Sequence, residues 1–400
     1  MGLALALSTF SAHAYMDQVE RESRYLQFAQ DIHFGNPKAA VAITAEEQKL
    51  LVDALWDAQE ENSPGVMEAL ATLVTENMPL SEQLRVAVVE HRAGARQDLN
   101  ALATAVLTAL QSDEKLATLV VSLRYDLYAM GLNDLVETAH KLFPEPTGWV
   151  AASERPVNDQ TALAVDLWNH EPDLSRYQGG AYEKGFKLYM FCRTNRLYAC
   201  LMTARGADFE RVMNADGSLW TQPALVSSSR GLPSYQRNGN TPAGAYHIDG
   251  VMPAADQQVS FGKFRRLIID FVPASAGEVR TKSLLPQSSH EASWWRPAIV
   301  ARDVGRDLFR IHGTGKLNEN PTATWFPFMR TSGCVAQREN TYNGIEYKDQ
   351  RKLLDTLMEA QNLNVDYANE ANLKGLLFII EVNDEARAVT PADLKRFGIQ

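Results

Sequence analysis

A cysteine and a histidine twenty-two residues apart carry the chemistry this chain offers. Cys334 closes Arg330-Thr331-Ser332-Gly333-Cys334, and a glycine directly before a cysteine lets the backbone turn tightly and present the thiol with nearby amides. Amides so placed form an oxyanion hole, which attack on a carbonyl requires. His312 stands in Ile311-His312-Gly313-Thr314, at the end of a strand-like run, where its imidazole would face a cleft. Within hydrogen-bonding reach, the two would form a thiolate–imidazolium nucleophile that needs no metal and no organic cofactor. Taken singly, each reads more naturally as structure: the cysteine as a small buried hydrophobe, the histidine as a strand-end residue. Their combination shifts the balance.

The elements that must position them differ between the two halves of the chain. Residues 15–148 read as an all-α domain of five to seven helices. Thr44-Ala45-Glu46-Glu47 is a capping box that opens one of them, with Leu50, Leu51, Ala54 and Leu55 as its apolar face. Leu99, Leu102, Val106 and Leu110, and then Leu116, Val120, Leu123, Leu127 and Met130, recur at three- and four-residue intervals. Nothing in this half has ligand spacing, a glycine-rich loop or a charge block, so it reads as a scaffold or docking module. Residues 149–182 form a Pro-punctuated connector. From 183 to 384 the texture is β-rich, with strand-like runs at 187–192, 196–202, 267–271, 308–312 and 376–382 and a helix over 349–361. A short helix in 385–400 opens at Thr390-Pro391 and stops at Gly398. The fold class expected is therefore α+β and multidomain.

Three segments together carry a resemblance. Asn240-Thr241-Pro242-Ala243-Gly244-Ala245-Tyr246-His247-Ile248, then Ile311-His312-Gly313-Thr314, then Thr331-Ser332-Gly333-Cys334-Val335, occur in that order. They resemble the Thr-Pro-x-Gly-x-aromatic element and catalytic signature of the L,D-transpeptidases, cysteine enzymes that remodel bacterial peptidoglycan. The resemblance spans residues 183–384. It implies a β-sandwich-like catalytic domain in which Cys334 attacks the diaminopimelate–D-Ala amide of a stem tetrapeptide. His312 would act as general base and then as acid, with its ring oriented by the Gly313 carbonyl or by Thr314. Gly333 and Cys334 amides would hold the oxyanion, with Ser332, Thr331 and Arg338 lining the substrate site. The chain departs from the family in having Ser332 two residues before the nucleophile and Ala336 two after it, where Arg or Asn is usual. Arg338 is the candidate to take over that carboxylate contact. The span 250–306, with His290 and the adjacent Trp294 and Trp295, looks like an insertion whose tryptophans either stack on substrate or pack a lid.

Cys192 and Cys200 flank a hairpin signal at Arg193-Thr194-Asn195. A three-residue loop, Asn195-Arg196-Leu197, would set them opposite each other and allow a disulfide; a two-residue loop would leave two buried strand cysteines. Residues 1–14 look like the remnant of a signal peptide, an apolar stretch ending in Ala12-His13-Ala14 but lacking a basic start. No run approaches the ~18 apolar residues of a membrane span. Export would suit a disulfide and leave Cys334 as the remaining thiol, placing the protein in the periplasm or otherwise outside the cytoplasm.

Composition narrows the classes. A chain of 400 residues with 45% hydrophobic and 22% charged residues is an ordinary globular protein. Its formal charge of −10 argues against nucleic acid as a partner. No HxH, HExxH or Cys/His ligand spacing points to a metal, and the Gly-x-Ser-x-Gly and Gly-x-Gly-x-x-Gly elements are missing. The expected partners are peptidoglycan stem peptides and, for the helical half, a cell-envelope protein. Two rivals stand beside transpeptidation: hydrolysis by the same pair, as an L,D-carboxypeptidase or endopeptidase, and a non-catalytic wall-binding scaffold.

Overall fold

The computed structural model describes residues 4–35, 44–95, 98–152, 159–273 and 277–400. The chain divides into two compact units, Met16–Val150 and one built on Ala151–Gln400. The expected leader, residues 1–14, falls partly outside the described residues; from Ala4 its backbone belongs to the helix Ala4–His33. No helix among the described residues is long and apolar enough to cross a membrane.

The first unit is all helix. Thr44 caps Ala45–Glu60 as a capping box, and Leu50, Ala54 and Leu55 are buried beneath it. Arg85 ties that helix to Leu80–Arg92 through Asp53 at 2.5 Å, and pairs within its own helix with Glu82 at 3.1 Å. The helices are shorter and more numerous than the five to seven expected. The apolar stripe from Leu116 to Met130 is split at Leu123 into Glu114–Ser122 and Arg124–Ala129. Neither Gly nor Pro marks the break, so periodicity runs straight through it.

The second unit is built on ten strands: β1 (Phe186–Arg193), β2 (Cys200–Arg205), β3 (Gln222–Ala224), β4 (Gly244–Val251), β5 (Leu267–Phe271), β6 (Phe309–His312), β7 (Val335–Ala336), β8 (Glu339–Tyr342), β9 (Ile345–Lys348) and β10 (Lys374–Asn383). The architecture is α+β. Where a β-sandwich was expected, eight strands hydrogen-bond into one mixed sheet, ordered β3-β2-β1-β10-β4-β5-β6-β7, and β8 and β9 form a separate pair. Strand alternation sorts the side chains. Leu188, Met190, Ile248, Leu267, Ile269, Phe309, Ile311 and Val335 enter one apolar core with Leu353, Leu354, Leu357 and Met358 of the helix Asp349–Ala360. The intervening residues, among them His247, Asp249, Arg310 and His312, are therefore on the opposite face. They are buried too.

Two expected boundaries change. β5 lies inside the sheet, paired with β4 on one side and β6 on the other, so residues 250–306 are no detachable insertion. Trp294 and Trp295 are buried and donate to Ser289 Oγ and Ser289 O, which makes them packing residues and removes them as a substrate platform. The 149–182 stretch is not a bare connector either. Residues 153–158 lie outside the described residues, but Thr161–Asn169 packs on β10 and Tyr177 and Tyr182 are buried against His247.

The cysteine pair is a disulfide, with Cα atoms 4.3 Å apart. The β1–β2 register pairs Phe191 with Leu201, which sets Cys192 opposite Cys200, as a turn centred on Arg196 requires. The connection, residues 194–199, is wider than three residues, and within it Arg196 pairs with Glu381 of β10 at 2.7 Å.

Candidate active site

The two candidate residues flank a parallel strand pair: His312 ends β6 and Cys334 immediately precedes β7. β6 and β7 pair Ile311 with Val335 and His312 with Ala336. The Gln337 amide donates to the His312 carbonyl at 2.8 Å and locks that register. Cys334 lies in the bend two residues before Ala336, immediately ahead of β7.

The His312 ring is held from two sides. Nδ1 is 2.5 Å from the Gly313 carbonyl, and the edge of Phe261 meets the ring at a centroid distance of 4.9 Å. A carbonyl oxygen only accepts, so Nδ1 carries the proton and Nε2 keeps its lone pair. Of the two orienting groups expected, the carbonyl is the one used; Thr314 Oγ1 donates to Val259 O at 3.2 Å instead. Burial pushes the imidazole down to about 4; the Gly313 carbonyl opposes this, and Arg266 and Arg310 add to it. The imidazole is therefore held neutral near pH 7.

The nucleophile turn is pinned just as firmly. Gly333 has φ +109°, and a Cβ there would stand 2.4 Å from Arg306 Nη2 and 2.9 Å from Gly239 O, so only glycine fits. Thr331 Oγ1 donates to the Cys334 carbonyl at 2.6 Å. Thr241, from the Thr-Pro segment, donates to the Gly333 carbonyl at 2.9 Å. A peptide is planar, so fixing the Gly333 C=O also fixes the direction of the Cys334 N–H, the expected oxyanion donor. Cys334 is half-buried, with Leu308 O at 3.9 Å from Sγ. Ser332 is exposed beside it.

Arg338 is held close to the site by its neighbours. Its Nε pairs with Asp349 at 2.5 Å and its guanidinium lies over Tyr347, 4.5 Å from the centroid. The cation beside the nucleophile is Arg306, which no motif marked. It donates to the carbonyls of Ser234, Asn240 and Gly239 and so ties the 234–240 loop to the Gly333 turn. Burial brings its guanidinium down to about 10, while the Tyr246 and Cys334 charges work the other way. Phe261 and Glu339, which frames the Gly313 turn, were likewise missed. All three are distant in sequence and come together only through sheet register and loop packing.

Among the described residues no group of three or more His, Cys, Asp and Glu side chains is disposed to hold a metal ion. Compared with models of known protein families, with curated proteins and with solved structures, the chain finds no match.

Proposed function

We propose that the Ala151–Gln400 unit is a cysteine acyltransferase of the L,D-transpeptidase type acting on peptidoglycan stem peptides. The observation that carries this reading is the β6–β7 pairing of His312 with Ala336, which brings the chain just after Cys334 alongside a histidine whose Nδ1 is held by the Gly313 carbonyl. The bond from Thr241 to Gly333 supports it, because it joins the third segment of the resemblance to the nucleophile turn. The Cys192–Cys200 disulfide supports an oxidising, extracytoplasmic setting.

On this reading the reaction has two halves. His312 Nε2 takes the Cys334 thiol proton as Sγ attacks the amide carbonyl of the diaminopimelate–D-Ala bond. The tetrahedral oxyanion sits against the Cys334 amide. Collapse breaks the C–N bond, His312 returns its proton to the departing D-Ala amine, and a thioester remains on Cys334. An acceptor amine then gives its proton to His312, attacks the thioester and releases the thiol. The acceptor's amine would be a second stem peptide, a D-amino acid or a protein side chain. Water in place of the amine gives the carboxypeptidase variant.

The test is incubation with disaccharide tetrapeptide and a D-amino acid, followed by mass analysis. Exchanged or dimeric product is expected. Tripeptide as sole product would replace transfer by hydrolysis, and unchanged substrate would remove the peptidoglycan reading.

A further inference from the structure

We infer that an open pocket at the end of β2 binds the ammonium–carboxylate head of a ligand, that of a free α-amino acid or of the diaminopimelate D-centre in a stem peptide. The second source rests on the proposed function; the head group itself is read from the pocket. The cavity holds about 510 Å³, within the ~300–1,000 Å³ usual for small-molecule sites. Its lining comes from the end of β2, the turn that follows, and Glu171 just beyond the helix Thr161–Asn169.

Arg205, the last residue of β2, is the built part of this pocket and is only 8% exposed. Its Nε donates to Trp168 O and its Nη1 to Phe209 O, each at 2.9 Å. The guanidinium also lies over both of those residues' rings, 4.2 Å from the Trp168 centroid and 4.3 Å from that of Phe209. Two carbonyls and two rings therefore fix its plane before any ligand arrives. They use two of its five N–H donors, and among the described residues no carboxylate lies within ion-pair distance to take the rest. A guanidinium so buried and so held, with no anion of its own, is a receptor for a carboxylate. Burial lowers it below the ordinary arginine range, and an incoming carboxylate would oppose that.

The turn after β2 is shaped to make those contacts. The Gly206 amide donates to Glu210 O at 2.8 Å, and Arg205 bridges Arg211 in antiparallel register. Phe209 stands at φ +63°, a conformation a bulky residue rarely adopts, and delivers both its ring and its carbonyl to Arg205. Other charges surround that cation. Asp208 accepts from the Glu210 amide at 3.1 Å. The exposed Glu171 and Glu210 carboxylates and the Arg211 guanidinium enter no hydrogen bond or ion pair among the described residues. Acids outnumber arginines three to two in the lining, so the rim calls for a cation where the buried end calls for an anion. A ligand with an ammonium beside its carboxylate answers both. A dicarboxylate meets repulsion from the acids, and a diamine leaves Arg205 unpaired. Phe209 and Met213 offer an apolar wall to the rest of the molecule.

Calorimetric titration of the full chain carrying Cys334→Ala, which holds turnover off, tests this. The probes are meso-diaminopimelate, D-alanine, disaccharide tetrapeptide, pimelate and cadaverine. Zwitterionic probes are expected to bind, with pimelate and cadaverine each weaker by about tenfold or more, because each lacks one of the two charges. Arg205→Gln should weaken the zwitterions by a similar factor. If that variant does not fold, Glu171→Gln with Glu210→Gln, at exposed positions, gives the same reading from the ammonium side. Binding of the free amino acids, with tetrapeptide insensitive to the variants, would name the free amino acid as ligand. Tetrapeptide binding that falls in the same variants would name the stem peptide. No binding of any zwitterionic probe, equal binding of pimelate or cadaverine, or affinities the folded variants leave unchanged would overturn the inference. None of these titrations needs a reacting thiol. Failure of the muropeptide assay would therefore leave the pocket standing, and failure of the titrations would leave the active site standing.

Discussion

Two histidines on the same face of the sheet show what distinguishes a base from a brace. His247 on β4 and His312 at the end of β6 are both buried, and burial brings each imidazole down to about 4. Both meet an aromatic ring. His247, however, is enclosed by it: Tyr182 stacks at 4.4 Å, and the Tyr177 hydroxyl binds Nε2 at 2.7 Å. Tyr182 in turn donates to Asp249, which Lys374 neutralises at 3.2 Å. His312 spends Nδ1 on a backbone carbonyl and pairs with Ala336, two residues after the half-buried thiol of Cys334. A depressed imidazole is thus a property the two share, and the disposition of Nε2 separates them.

That contrast is sharpest under substitution. Cys334→Ala and His312→Ala should each reduce turnover by at least about 10³-fold, with modest change in Tm for the half-buried cysteine. His247→Ala should instead cost about 2–4 kcal/mol of stability, by leaving Tyr177 unpaired and a cavity in the sheet, while turnover per folded molecule stays near wild type. Denaturant melts beside muropeptide kinetics check both; loss of turnover in a folded His247→Ala protein would erase the distinction.

Next in size is the response to acid. Each histidine is lowered from 6.5 to about 4, so the unfolded chain binds protons the native chain refuses as pH falls. Stability is therefore whole above about pH 6.5 and declines towards pH 4, by about 3 kcal/mol for each histidine. Urea midpoints at pH 7, 5.5 and 4.5 would show the slope. His247→Phe, if it folds, should flatten it while leaving the His312 part. A midpoint that rises on acidification would contradict the burial assigned to both rings.

Smaller effects fall on the supports. Reducing the Cys192–Cys200 disulfide, which closes a short loop, should lower stability by about 2–3 kcal/mol and leave turnover per folded molecule intact. Equal losses in turnover would mean that the hairpin reaches the site. Arg306→Met removes the three carbonyl contacts that tie the 234–240 loop to the Gly333 turn. Cys334 alkylation should then slow by several-fold, and an unchanged rate would confine Arg306 to structure.

The parts of this site legible in the sequence are those whose backbone demands leave a local mark. Gly333 before Cys334, Gly313 after His312 and the Thr241-Pro242 pair each sit at a turn that needs that residue type, so a short motif reports them. The capping box at Thr44 and the N-cap at Thr390 are visible for the same reason. Arg306, Glu339 and Phe261 act across distances in sequence that no local pattern encodes. Glu339 begins an alternating strand and looks like any solvent-facing carboxylate until the sheet register folds it under Gly313. The single mixed sheet was hidden likewise, because β10, near the end of the chain, pairs between β1 and β4. The break at Leu123 left no mark because no helix-breaking residue stands there.

The central claim is that Cys334 carries the acyl group. Intact-protein mass spectrometry after brief exposure to disaccharide tetrapeptide, quenched in acid, tests it most directly. The expected result is an adduct equal to the tetrapeptide less D-Ala, localised to Cys334 by peptide mapping and missing in Cys334→Ala. An unmodified Cys334 under conditions where the substrate is consumed, or the same adduct in Cys334→Ala, would contradict it.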